Sequence, residues 1–152
     1  MAGIGFTASR GMTDKEAAII EADLTNLQES ALRLIKEWVT GGCIDGDAII
    51  GRTMARLRPK DTHVIIVPAN RAAVDEWWKD EEFSDHHIEL EFMPPGSSYK
   101  DRNLRIVESV NGLMAYPLYA EKDERSRRSG TWQTVRLARN VQVPTRIKQL
   151  RG

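Results

Sequence analysis

The spacing of apolar residues changes period repeatedly along this chain. Ile4 and Phe6 alternate with small residues and predict a short first strand. Further on the spacing lengthens to three and four. Ile20, Leu24, Leu27, Ala31, Leu34 and Trp38 then fall on one stripe of a long helix. Thr13 and Glu16 form a T-x-x-E capping box at its start; Thr25 and Gln28 repeat that pattern and predict a break near Asp23. "WVTGGCIDGDA" reads as a second strand, a glycine turn and a second helix, which runs to about Arg58 before Pro59 stops it. "HVIIVP" is continuously apolar and β-branched, as in a strand buried on both faces. "AAVDEWW" predicts a short helix. In "HIELEFMP", Ile88, Leu90 and Phe92 alternate with Glu89 and Glu91, which suits a half-exposed strand near a sheet edge. "RNLRIVESV" places Leu104, Val107 and Val110 on one helical face. "GLMAYP", "SGTWQTVRLARN" and "VPTRIKQL" follow as strand, helix and closing strand.

Strands that alternate with helices predict an α/β fold: a Rossmann-like, doubly wound, mostly parallel sheet flanked by helices. At 152 residues, without a linker or internal repeat, residues 1–152 make a single domain. Lys+Arg and Asp+Glu both number 22, so no overall positive field draws the chain to nucleic acid or an anionic membrane. The "RSRR" run at 125–128 reads as a solvated face. The lone Cys43 fits a buried structural thiol in a reducing compartment. With no signal peptide or bilayer-length apolar run, the expectation is a cytoplasmic protein without membrane contact. His86-His87 lacks companions at ligand spacing, so neither a metal site nor another cofactor is expected. The Trp77-Trp78 pair reads as core or subunit interface.

Sheets of this kind bind ligands beyond the carboxyl ends of their strands. Four of the loops there are small and polar: "TASRGMT", "TGGCIDGD", "PPGSSYKDRN" and "RRSGTW". Small residues let the backbone come close to a ligand, and helix N-termini add unpaired N–H groups that suit phosphate. Several such loops around one crevice make an anion cradle.

The four motifs G-[FY]-T-x-S-R-x-M-T, G-G-C-x-x-G-D, R-N-x-x-I-V and S-G-T-W-x-T-V-R-x-A-R, in that order, resemble the SLOG superfamily. That group joins the Lonely Guy enzymes, the DNA-processing protein A fold and many small bacterial and phage proteins. This chain is most similar to the small stand-alone members, from Gly5 to Asn140. The resemblance implies a nucleotide or nucleotide-derived ligand and a homodimer or larger assembly. It places Thr7, Ser9, Arg10 and Gly11 on a first phosphate-facing loop, and Gly41, Gly42, Gly46 and Asp47 on a second. Arg102 and Asn103 stand at the entrance of the fourth helix, and Ser129, Gly130, Thr131 and Trp132 on the last loop.

One departure bears on chemistry. The Lonely Guy hydrolases carry P-G-G-x-G-T-x-x-E, and here Thr134 occupies the place of that glutamate. A hydroxyl does not do a carboxylate's acid/base work at neutral pH. The expected function is therefore nucleotide binding by a sensor, regulator or sequestering protein. The alternatives are a phosphoribohydrolase or related N-glycosidic-bond enzyme and, second, a single-stranded DNA binder. At single positions the residues leave two roles open. Asp47 reads as a helix cap or a ligand contact, Arg102 as a phosphate partner or half of a salt bridge, and Trp132 as core or stacking platform.

Overall fold

The computed structural model describes residues 3–41, 46–57, 63–67 and 87–152. Among them, in chain order, are strand β1 (Gly3–Ala8), helix α1 (Asp14–Glu29), β2 (Glu37–Gly41), α2 (Gly46–Leu57), β3 (His63–Val67) and β4 (His87–Leu90). Helix α3 (Tyr99–Glu108), β5 (Gly112–Tyr116), α4 (Gly130–Asn140) and β6 (Thr145–Ile147) complete the order. The six strands form one sheet in the order β4-β3-β2-β1-β5-β6, and every neighbouring pair is parallel. The expected α/β doubly wound fold is thus present, all-parallel among the described residues. β4 lies at an edge, as its alternation predicted. The predicted 71–78 helix, Trp77-Trp78, Cys43 and His86 lie outside the described residues.

Period-2 alternation sorts the strand residues onto two faces. Phe6, Trp38, Met114 and Tyr116 pack against Ile20 and Leu24 of α1 and Ile50 and Met54 of α2. On the opposite face Leu113 and Ala115 meet Val107 of α3 and Trp132, Val135 and Ala138 of α4. Val39 joins Ile106 and Val110 beside them. Each large side chain buried this way contributes about 1.5–3 kcal/mol.

Two sequence expectations change at the first helix. Its stripe stops at Glu29, a 3-10 turn follows at Ala31–Leu34, and Trp38 belongs to β2. There the indole stacks on Phe6 with ring centroids 4.9 Å apart, while Leu34 is left 71% exposed. The break near Asp23 does not occur either. Thr25 donates its hydroxyl to the Glu21 carbonyl, 2.8 Å away, instead of capping a new helix. Asp23 is buried where it accepts from the Tyr116 hydroxyl (2.8 Å) and from both Arg146 guanidinium nitrogens (2.8 and 3.0 Å). That network ties α1 to β5 and β6. The capping box at Thr13 and Glu16 is present as read. Glu16 also accepts two hydrogen bonds from Arg151, whose own backbone N–H bonds the Leu118 carbonyl.

The strand order fixes where a ligand can approach. The chain winds outward from β1 to β4, then returns to the other side of β1 to form β5. The switch point is therefore the gap beyond the carboxyl ends of β1 and β5, with α3 and α4 packed together on one face beside it.

Candidate functional site

The described parts of the loops that the sequence singled out meet at the switch point. Ser9 follows β1 directly; its N–H bonds the Tyr116 carbonyl at 3.2 Å, and its hydroxyl accepts the Leu118 N–H at 3.2 Å. The same hydroxyl donates to Thr131 at 3.4 Å, which joins the first loop to the last. Helix α2 closes in from the other side. A side chain at Gly46 would collide with the Ala8 methyl, the Ser9 carbonyl oxygen and the Met12 side chain.

A cleft of about 540 Å³ opens between these segments. Thr7, Ser9 and Arg10 line it from the first loop, Asp47 from α2, and Arg102 and Asn103 from α3. Ser129, Gly130 and Thr131 line it from the start of α4. The last loop contributes more than was expected. Arg125, Ser126, Arg127 and Arg128 form part of the wall, so the run read as a solvated face borders the cleft. Ser126 turns inward and donates to the Ala120 carbonyl at 2.7 Å, which anchors the turn that carries the arginines. With Arg136, six arginines line the cleft against one carboxylate, Asp47, among the described residues. The locally positive potential is invisible in the balanced total charge.

A buried polar chain runs along the α3 side. Arg102 is only 6% exposed, with Nη1 4.0 Å from the Asp47 carboxylate and Nε donating to Asn103 Oδ1 at 2.8 Å. Asn103 in turn donates to Gln133 Oε1 of α4 at 3.1 Å. Asp47 lies inside the first turn of α2 and faces Arg102, and Arg102 both pairs with it and lines the cleft. Arg102 and Asn103 stand one turn into their helix, because the Ser98 cap and its Asp101 partner start α3 earlier. Above them the Tyr99 ring lies 5.3 Å from the Arg10 guanidinium carbon and 5.7 Å from that of Arg102. Both fall within cation–π range.

The amino end of α4 differs from that of α3. Its first turn holds no acidic residue. Ser129 Oγ accepts the Trp132 N–H at 3.2 Å, and the Ser129 N–H bonds the Ser126 carbonyl at 3.0 Å. Of the four leading amides, those of Gly130 and Thr131 remain for a ligand. A Cβ at Gly130 would meet nothing within 4 Å. The helix end is thus open and carries its partial positive charge uncompensated by an acid of its own.

Gly11, Gly41, Gly46 and Trp132 do not line the cleft. Gly41 lies beneath Arg102, and a side chain there would overlap the Arg102 guanidinium and the Asp47 carboxylate. Gly41 and Gly46 therefore act by making room for the pocket floor. Gly11 has φ of +74° with open space around it, so its glycine serves the backbone turn. Trp132 is 5% exposed in the core, where its indole N–H donates to the Tyr119 carbonyl at 2.9 Å. Gly42 lies outside the described residues.

Sequence reasoning also passed over Tyr99, Tyr119, Gln133 and Arg136, all on the cleft wall. Tyr119 is held between the guanidinium carbons of Arg125 (3.8 Å) and Arg151 (5.2 Å), and its hydroxyl accepts from Arg151 Nη1 at 2.7 Å. Hydrogen bonds from the Arg125 side chain, then from its backbone N–H, hold the Asp123 carboxyl down at about 2.

No protein-family model matches the sequence, and neither characterised proteins nor solved structures give a match. Among the described residues, no helix is long and apolar enough to cross a membrane.

Proposed function

We propose that this protein binds a nucleotide or nucleotide-derived small molecule in the cleft, as a sensor, regulator or sequestering protein. The observation that carries the reading is the charge of the site: among the described residues, six arginines and one aspartate line a cleft that includes the open end of α4. Guanidinium groups and helix N-termini are the usual partners of phosphate. A volume of about 540 Å³ lies in the small-molecule range. The 46% exposed Tyr99 offers a face for a base. The resemblance to the SLOG superfamily favours the same ligand class and a homodimeric or larger assembly.

Binding is favoured over N-glycosidic cleavage by the position of Thr134. It is fully buried, and its hydroxyl donates to the Gly130 carbonyl at 2.8 Å, so this place on α4 does not face the cleft. Asp47, the one carboxylate on the wall among the described residues, is turned toward a guanidinium.

Native mass spectrometry of the purified protein, followed by calorimetric titration with ribonucleoside mono- and diphosphates, tests the proposal. A nucleotide-sized adduct, or micromolar binding of at least one nucleotide that is lost in Arg10→Ala, is the expected result. Absence of both would refute it. Release of free base during the titration would replace binding by hydrolysis.

A further inference from the structure

Two chains of hydrogen bonds beside the cleft have a fixed direction, because each starts at a group that only donates. Arg102 Nε donates to Asn103 Oδ1 at 2.8 Å. With that oxygen engaged, Asn103 donates its Nδ2 hydrogen to Gln133 Oε1 at 3.1 Å. A carboxamide carries its acceptor and its donors on opposite arms. Gln133 therefore has its oxygen held by α3 and its Nε2 left over, with no acceptor among the described residues. The second chain starts at the Leu118 N–H, which donates to Ser9 Oγ at 3.2 Å. Ser9 passes its own hydrogen to Thr131 Oγ1 at 3.4 Å, and the Thr131 hydroxyl hydrogen likewise has no acceptor among the described residues. Thr131 is only 3% exposed, so that donor is costly to leave unmade. Both chains end on the opening turn of α4, and both end residues line the cleft. Helical Cα–Cβ bonds tilt toward the amino end, which leans the Gln133 side chain back over the turn of Gly130 and Thr131.

From the direction of these chains we infer that Gln133 contacts the ligand, with Nε2 donating to an oxygen of its anionic group beside the Thr131 hydroxyl. Arg102 and Asn103 position that donor. A guanidinium has no acceptor, so the amide of Asn103, and through it that of Gln133, is held one way round. The inference rests on the proposed function and deepens it by one residue and by the kind of group that residue selects. Nε2 carries no charge and accepts nothing, so it favours an ionised oxygen, as on a phosphoryl group, over a group that presents its own hydrogen.

Inorganic orthophosphate tests this without a choice of base. In proton–nitrogen correlation spectra of the full chain, the Gln133 side-chain NH2 signals are identified by their absence in Gln133→Glu. Titration with phosphate is expected to move those signals along the same saturation curve as the Gly130 and Thr131 backbone amides. Gln133→Glu keeps an acceptor for Asn103 and removes the donor, so it should hold its melting temperature and lose about tenfold or more in phosphate affinity. Gln133→Met removes the donor without adding a charge, and its affinity should fall by about the same factor. Asn103→Asp still accepts from Arg102 but cannot donate onward. Gln133 then turns over to donate to the new carboxylate, and its NH2 signals should stop responding to phosphate. Gln133 signals that stay still at saturating phosphate, wild-type affinity in Gln133→Met, an unchanged response in Asn103→Asp, or no binding of millimolar phosphate overturns the inference. The outcome is separable from the nucleotide reading. A nucleotide that binds while the Gln133 signals stay still refutes this contact alone. Phosphate that moves them in a protein that binds no nucleotide retains the contact and removes the nucleoside.

Discussion

Replacing Gly46 and Gly130 by alanine, one at a time, separates two uses of glycine that the sequence makes look alike. Both open a helix, and both sit in loops expected to face phosphate. At Gly46 a methyl would stand 2.8 Å from the Ser9 carbonyl oxygen and closer still to the Ala8 methyl. Neither obstacle is the free end of a flexible side chain; both belong to β1 and its turn. The clash therefore has to be relieved by moving α2 against the sheet edge. Overpacking of this kind costs about 1–3 kcal/mol, only partly offset by the better helix propensity of alanine. For a chain of this length a net loss of about 2 kcal/mol lowers the melting temperature by ~4–8 °C. At Gly130 nothing stands within 4 Å of the added methyl, and its φ lies outside the left-handed region. Gly130→Ala should melt within about 2 °C of wild type, on the stable side if at all. Thermal unfolding of both variants, with calorimetric titration of a bound nucleotide, gives the comparison. Gly130→Leu should then keep the fold and lose the ligand, because its side chain occupies the mouth of the cleft. A Gly46→Ala protein as stable as Gly130→Ala would refute the close packing of α2 on the first loop.

Other expectations follow from the same contacts. Arg102→Ala leaves the buried Asp47 carboxylate without its guanidinium and should cost about 3 kcal/mol in chemical denaturation, with Arg102→Lys recovering part of it. Thr134→Glu places a carboxylate in a fully buried position; a loss of several kcal/mol is expected, measured by thermal melting, without any gain of nucleotide hydrolysis. Acid should loosen the tie between α1 and the carboxyl-terminal segment. The Arg151 hydrogen bonds, followed by the Thr13 N–H, hold Glu16 at about 2 instead of 4.5. A depressed carboxylate contributes its stability above 4.5 and loses it as pH falls toward 2. The difference in melting temperature between wild type and Arg151→Ala should accordingly be full at neutral pH, shrink below 4.5 and close near 2.

Much of the fold was legible because its signals are local and periodic. A β-branched run without polar breaks marked the inner strand β3, alternation marked the edge strand β4, and the Thr13–Glu16 box marked the start of α1. The failures came where tertiary contacts outweighed local pattern. A T-x-x-Q sequence at Thr25 suggests a helix start. The buried Asp23, however, is held by Tyr116 and Arg146 from the far side of the sheet, and its helix runs through. Burial pushes the Asp23 carboxyl up, yet the bonds from Arg146 and Tyr116 prevail and leave it below its ordinary value. Trp38 continued the helical stripe by spacing alone, and its stacking on Phe6 assigns it to β2.

The candidate site was legible in its backbone and much less so in its charges. Small polar loops between strand and helix betray where a chain leaves room, and the described parts of those loops converge at the switch point. Which room is taken by the protein itself depends on side chains distant in sequence. Gly41 is vacant only until Arg102, sixty-one positions later, lies across it, whereas Gly130 stays open. Arg125, Arg127 and Arg128 posed the opposite problem. A charge run reads as solvated unless something turns it inward. Here the turning is done by Ser126, whose hydroxyl bonds the Ala120 carbonyl, and by Tyr119 under Arg125. Trp132 supports the same wall from within the core through its bond to the Tyr119 carbonyl. An aromatic in a phosphate-loop motif thus acts on the cleft without entering it. The residues that decide the charge of this site are therefore set by packing beneath it, and a motif read along the chain locates the loops before it can say which way their side chains point.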